Sequence, residues 1–247
     1  MNLFQLKMVS AAFILLIAII GGAIPFFKKR WDFPAGEALA TGIFLGAGLL
    51  HMLPDASAAF NAADYHYPIA FLIAAIGFLL LLSLEHISQS IVANGRQKNL
   101  ALLAMMSTMM LSIHALLEGT AAGMAIHFTT AILILVAIIA HKGAAGFALS
   151  IQLNRSHLGF PARIIAFSVF AVMTPIGVVA GNSAIYFTHN LPLLVPICNA
   201  LAAGTFIYLG TLHGMGEASL IYHCKNIKGF FTMLLGFIVM AIVAVWT

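Results

Sequence analysis

Eight times along the chain an apolar run of about 20 residues appears, the length a helix needs to cross the hydrocarbon core of a bilayer. The runs cover residues 8–26, 36–60, 67–88, 100–126, 129–153, 161–187, 193–215 and 227–247. No soluble globule is built this way, since only 7% of the 247 residues are charged and 62% are hydrophobic, against roughly a quarter charged in ordinary domains. In lipid each backbone polar group must be satisfied within its own segment, so runs of this length are helices. The expected fold is all-α: a polytopic bundle of eight transmembrane helices forming one domain over residues 1–247, with no soluble appendage.

The basic residues orient this bundle. Lys28, Lys29 and Arg30 follow the first run, Arg96 and Lys98 the third, Arg155 and Arg163 flank the link after the fifth, and Lys225 and Lys228 follow the seventh. Links after the second, fourth and sixth runs hold no Lys or Arg. The positive-inside rule therefore puts the basic links in the cytoplasm and both termini outside. Only Lys7 and Lys142 fall elsewhere among the eleven basic residues. The net charge of +4 is not gathered into a patch with aromatics, which excludes nucleic acid as a partner. The first run lacks a small-residue cleavage site and is expected to be retained as a helix. Cys198 and Cys224 belong to opposite ends of the seventh run and are expected to be free thiols.

Within this apolar frame, polar groups stand out, because an ionisable residue at the centre of a membrane helix costs at least a few kcal/mol. His114 and Glu118 are four residues apart, so on a helix they share a face with Cβ atoms roughly 5 to 6 Å apart. The fourth and fifth runs should form a hairpin turning near His127 and Phe128, so that residues at equal depth have numbers summing to 255 (127 + 128). His114 and His141 satisfy that sum, and Glu118 lies one turn outward. Two imidazoles and a carboxylate at one depth suit a borderline divalent cation, Zn²⁺ first, with Fe²⁺, Mn²⁺ and Co²⁺ also within this donor set. The bland alternative is a set of polar residues that satisfy one another in helix packing.

Other groups are placed along a route. His51 and Asp55 repeat the four-residue spacing nearer the outer surface, as an entrance site or as an interfacial polar pair. Glu85, next to His86, lies in the inner half of the third run. His213 and Glu217, followed by His223 and Cys224, lie toward the cytoplasmic end of the seventh, where polar groups also occur without special function. His66, His127, His157 and His189 are read as residues of links and helix ends, and Met105, Met106, Met109 and Met110 as packing. Glycine pairs at GxxxG spacing, Gly42/Gly46, Gly119/Gly123, Gly177/Gly181 and Gly210/Gly214, mark faces for close helix approach. Pro54 and Pro175 interrupt spans.

Taken together, His51-Met-Leu-Pro-Asp55, Ser112-Ile-His114-Ala-Leu-Leu-Glu118-Gly, His141-Lys142 with Gly146-Phe-Ala-Leu, Thr174-Pro-Ile-Gly and Asn199-Ala-Leu-Ala-Ala-Gly-Thr-Phe-Ile-Tyr208 resemble the ZIP (Zrt/Irt-like) divalent-metal transporters over essentially the whole chain. The resemblance implies uptake of divalent metal into the cytosol across the cell membrane, inner or plasma, with His114, Glu118 and His141 as the primary site. It also implies an elevator-like motion of helices one, four, five and six against the rest. Many members hold two metals, using residues that are Ala115, Lys142 and Ala145 here. One ion is therefore expected, with the Lys142 ammonium in the second ion's space and paired with Glu118 when no ion is bound. The expected route runs from Asp55 and His51 through the primary site and past Glu85, His213 and Glu217. No resident cofactor is expected. The partners are divalent ions and the lipid bilayer, with a homodimer left open. Two rival classes are an intramembrane zinc hydrolase, for which no HExxH and no obvious general base are present, and a metal-sensing module that binds without flux.

Overall fold

The computed structural model describes residues 2–27, 33–65, 67–92, 100–156, 158–184, 193–213 and 227–246. They form eight helical rods: α1 (Leu3–Phe27), α2 (Pro34–Ala62), α3 (Ile69–Val92), α4 (Leu100–Met124), α5 (Phe128–Arg155), α6 (Phe160–Ala184), α7 (Leu194–Tyr208, continuing as a π-turn over Leu209–His213) and α8 (Ile227–Ala244). There is no strand among the described residues.

Seven of the rods are long and apolar enough to cross a membrane. The eighth rod, α4, is 25 residues long, enough to cross a bilayer, and it buries Ser107, Thr108, Ser112, His114 and Glu118. Packing against α5, α6 and α7 shields those groups, so α4 need not be apolar all round. α1 begins at Leu3, five residues before the start expected at residue 8, because its first turn is capped. The Asn2 amide donates to Gln5 Oε1 (3.0 Å) and the Gln5 amide to Asn2 Oδ1 (2.8 Å), a reciprocal arrangement that satisfies two otherwise orphaned donors. Lys7 is thereby inside the helix, where its ammonium donates to Gly123 O (2.6 Å) and Asn182 Oδ1 (3.1 Å). This ties α1 to α4 and α6.

The rods divide into two groups. In the first, α1 packs along α5, and α4 lies along α6; in the second, α2 packs on α8, and α3 on α7. Small residues permit the closest approaches. Gly119 and Gly123 of α4 meet the carbonyls of Thr174 and Val178, while Gly177 and Gly181 of α6 meet those of Leu116 and Thr120. Any Cβ at these four sites would enter the opposing backbone, so the two GxxxG pairs interlock with each other. Asn154 closes the other end of the group, donating to Pro25 O (3.0 Å) and accepting from Arg163 Nη1 (3.0 Å).

α2 is not a uniform helix. Pro54 has no N–H, and its ring would clash with the carbonyl four residues back. The chain widens into a π-turn over Ala47–Met52, in which the Leu53 N–H bonds to Gly48 O, five residues back. His51 sits in that turn. The π-turn of α7 lies nearby: a Cβ on Gly210 would stand 2.7 Å from Leu45 N, and Thr211 Oγ1 donates to Ile207 O (2.5 Å). Widened turns of this kind are frequent at functional sites.

Candidate metal site

The polar cluster forms where the two groups meet. α4 supplies His114 and Glu118 from one face, α5 supplies His141 and Lys142, and α7 closes the space with Thr205 and Phe206. The link between α4 and α5 is only residues 125–127, with His127 extended (φ −110°) as the α5 N-cap. Equal depth therefore follows from equal distance to the turn, as the sum rule anticipated. His114, His141 and Lys142 are each 1% exposed and Glu118 is 4% exposed, so these groups are closed off from bulk solvent.

One donor atom each from His114, Glu118 and His141 lies within 4.8 Å of the others. His141 Nε2 is hydrogen-bonded to Glu118 Oε1, and His114 Nε2 stands 3.9 Å from Glu118 Oε2. A tetrahedral cation holds such ligands at about 2.0–2.2 Å, so side-chain rotations of an ångström or so gather them around one ion.

The tautomer of His114 follows from its neighbours. Its Nδ1 is 3.1 Å from Thr205 Oγ1, and that hydroxyl gives its own proton to Ala202 O (2.7 Å). Thr205 is thus the acceptor, Nδ1 carries the proton, and the Nε2 lone pair faces Glu118. Phe206 fixes the ring plane, stacking on His114 with centroids 3.7 Å apart and meeting His141 edge-on at 4.9 Å.

Lys142 differs in part from the expectation. Its Nζ lies 4.0 Å from Glu118 Oε2, a long ion pair, while its hydrogen bond goes to Thr174 Oγ1 (2.6 Å). Phe170 lies beneath it at 4.5 Å. Consecutive helical residues point about 100° apart, so Lys142 is turned toward α6 and reaches Glu118 only from the side.

These helices and motifs can be compared with known proteins. A family model described as "ZIP Zinc transporter" matches residues 4–101 and 94–244. The chain belongs to the ZIP zinc transporter family. It is 26% identical over 262 residues to zinc transporter ZIP1 of Danio rerio, covering 84% of this chain and 87% of that one. It is 27% identical over 297 residues to zinc transporter 1 of Oryza sativa subsp. japonica, covering 99% and 84% respectively. Protein zntD of Dictyostelium discoideum is 33% identical over 168 residues, 66% of this chain; the match spans only 24% of zntD. The Danio rerio and Oryza sativa relatives are named as transporters, not enzymes, and membership makes this ZIP protein a multi-pass membrane protein.

Of the other residues anticipated in this ZIP chain, His51 and Asp55 pair with each other, Nδ1 to Oδ2 at 3.2 Å. His51 is buried within electrostatic reach of Glu118 and His141, and Asp55 is the more exposed partner. Glu85 on α3 is half-buried and stands outside the three-residue cluster. Glu217, His223 and Cys224, like His66, His157 and His189, lie outside the described residues, as does the side chain of His213. Cys198 is a buried free thiol. Thr205, Phe206 and Thr174 received no role from the sequence, although the motifs Asn199–Tyr208 and Thr174-Pro contain them.

Proposed function

We propose that this protein carries Zn²⁺ through the membrane into the cytosol by way of one site made of His114 and Glu118 on α4 and His141 on α5. Zinc transport as such is what family membership supports. The observation that carries the site assignment is the convergence of three buried N and O donors, one of which, the His114 imidazole, has its other nitrogen occupied by Thr205. An imidazole oriented from behind presents its lone pair without rotational choice, which favours a metal ligand over a packing residue. Binding needs neutral imidazoles and an ionised carboxylate, so protons compete with the cation.

The direction rests on the alternation of basic links and on the field. A divalent ion crossing the full potential gains about 4.6 kcal/mol per 100 mV, at about 2.3 per charge, so an inside-negative membrane drives inward accumulation. The cation is first attracted by Asp55, passes His51 in the π-turn of α2, and sheds its remaining water among His114, Glu118 and His141. Because the site lies on the seam between the two helix groups, sliding of α1, α4, α5 and α6 against the rest would expose it to one side and then the other. A hydrolytic reading is less well supported, since Glu118, the one carboxylate of the cluster, is itself a ligand and leaves no general base.

Purified protein in liposomes loaded with a Zn²⁺-sensitive dye is expected to admit Zn²⁺ at a saturable rate that rises with an inside-negative potential. Stoichiometric binding without flux would favour the sensor reading, and peptide or lipid cleavage with fixed metal content the hydrolase. In the same assay Thr205→Val should lower Zn²⁺ affinity about 10- to 100-fold, the usual cost of losing an outer-sphere partner of a metal-bound histidine. Unchanged titration curves would remove Thr205 from the site.

A further inference from the structure

Between the metal site and the ends of α2 and α5 that carry the basic links lies a cavity of about 40 Å³, room for a few water molecules. It begins directly below the site. Leu111 of its lining is one helical turn before His114, and Phe44 of its lining packs on Phe206 with centroids 5.0 Å apart, the same ring that stacks on His114. At its far end stands Glu37, in the first turn of α2 and only 8% exposed. Its carboxylate is held by Arg155, in the last turn of α5, at 2.6 Å from Nη2 to Oε1.

The pair joins the two helix groups, because α2 belongs to one and α5 to the other. Asn154, the neighbour of Arg155, is committed to its own group through Pro25 and Arg163, whereas Arg155 reaches across to α2. The remaining polar lining of the cavity, Thr41, Ser107 and Gln152, is neutral. Among the described residues, Glu37 is thus the anionic group of this cavity below His114, Glu118 and His141, and a guanidinium occupies it.

We propose that Glu37 receives the divalent cation as it leaves the metal site, and that Arg155 is a latch which the cation displaces from that carboxylate. One carboxylate held bidentately or monodentately by a guanidinium cannot also give its charge fully to a divalent ion. Arrival of the cation therefore weakens the tie between α2 and α5 at the end through which the ion departs. The inference rests on the transport route of the preceding section, but the tie itself can be read without any metal.

The test has two readouts in full-length protein in liposomes. The first is the labelling rate of a cysteine at Ala148→Cys, inside the cavity, in a Cys198→Ser/Cys224→Ser background, with a membrane-impermeant thiol reagent on the side of the α1–α2 link. The second is dye-reported Zn²⁺ uptake together with Zn²⁺ content. Arg155→Gln should speed labelling about tenfold, equivalent to about 1.4 kcal/mol of closing free energy, and Arg155→Lys should keep it slow. Glu37→Gln should speed labelling equally and lower uptake about tenfold with Zn²⁺ content unchanged. Labelling that ignores Arg155→Gln in a folded, monodisperse protein overturns the latch, and wild-type uptake by Glu37→Gln overturns the receiving role. Failure of the central-site reading would show separately, as uptake that survives His114→Ala while labelling still follows the Glu37–Arg155 pair.

Discussion

His114→Ala and Glu118→Ala are each expected to abolish Zn²⁺ uptake in proteoliposomes. Each removes one of three donors, and at 1–4% exposure the site is closed to bulk solvent and has no other His, Cys, Asp or Glu in the cluster to replace it. Affinity should fall by at least about 100-fold, the upper end of what loss of an outer-sphere partner alone costs. The two variants differ in their effect on the fold. Truncating His114 leaves the Phe206 face bare but strands no charge. Truncating Glu118 leaves the Lys142 ammonium buried with only Thr174 and the Phe170 ring, and unpairing a buried charge costs about 3–5 kcal/mol. Glu118→Gln, which keeps the volume and one acceptor, separates the two effects. It should be as inactive as Glu118→Ala while migrating as a folded, monodisperse protein with wild-type helix content. Uptake at the wild-type rate by both His114→Ala and Glu118→Gln would sink the site assignment.

The depth of this site was legible in the sequence because α4 and α5 are unbroken helices joined by a link of three residues. Under those conditions residue number measures depth, and His114 and His141 had to be level. Azimuth was not legible in the same way. His141 and Lys142 are neighbours, yet one hydrogen-bonds Glu118 and the other turns to Thr174 on α6, and only the packing of α6 against α4 decides between them. That packing was itself foreshadowed by Gly119/Gly123 and Gly177/Gly181, whose spacing marked the faces without saying that each pair meets the other. Thr205 and Phe206 were out of reach for a different reason. They act on His114 from α7, which is separated from α4 in the chain by two helices, so no hairpin rule links their depths. Pro54 signalled an irregular span, but not that the relief would be a π-turn containing His51. Glu37 lay at the edge of an apolar run, where an acidic residue reads as a helix N-terminal charge. Its burial and its partner on α5 are tertiary facts.

Lys142→Asp is expected to raise the Zn²⁺ content of the purified protein from about one ion per chain to about two. The ammonium sits 4.0 Å from Glu118 Oε2, the oxygen that His114 Nε2 also faces at 3.9 Å, and 2.6 Å from Thr174 Oγ1, so it flanks the carboxylate from the α6 side and shares that oxygen with the ligand set. Its positive charge there repels any further cation, and at such separations two unit charges still interact by about 4 kcal/mol at an effective dielectric of 20. Replacing it by a carboxylate reverses the local charge by two units and puts two anions beside one another in a dry site. Such a pair is tolerated only with a proton or a metal between them, and a carboxylate such as Glu118 has two oxygens with which to bridge two ions. Lys142→Met, similar in volume but uncharged, separates charge reversal from simple loss of the ammonium, and it should still hold about one ion. Metal content is read by elemental analysis after equilibration with Zn²⁺ and gel filtration. A folded Lys142→Asp protein that still carries a single ion would show that space and ligand geometry, not the lysine's charge, restrict the site to one metal.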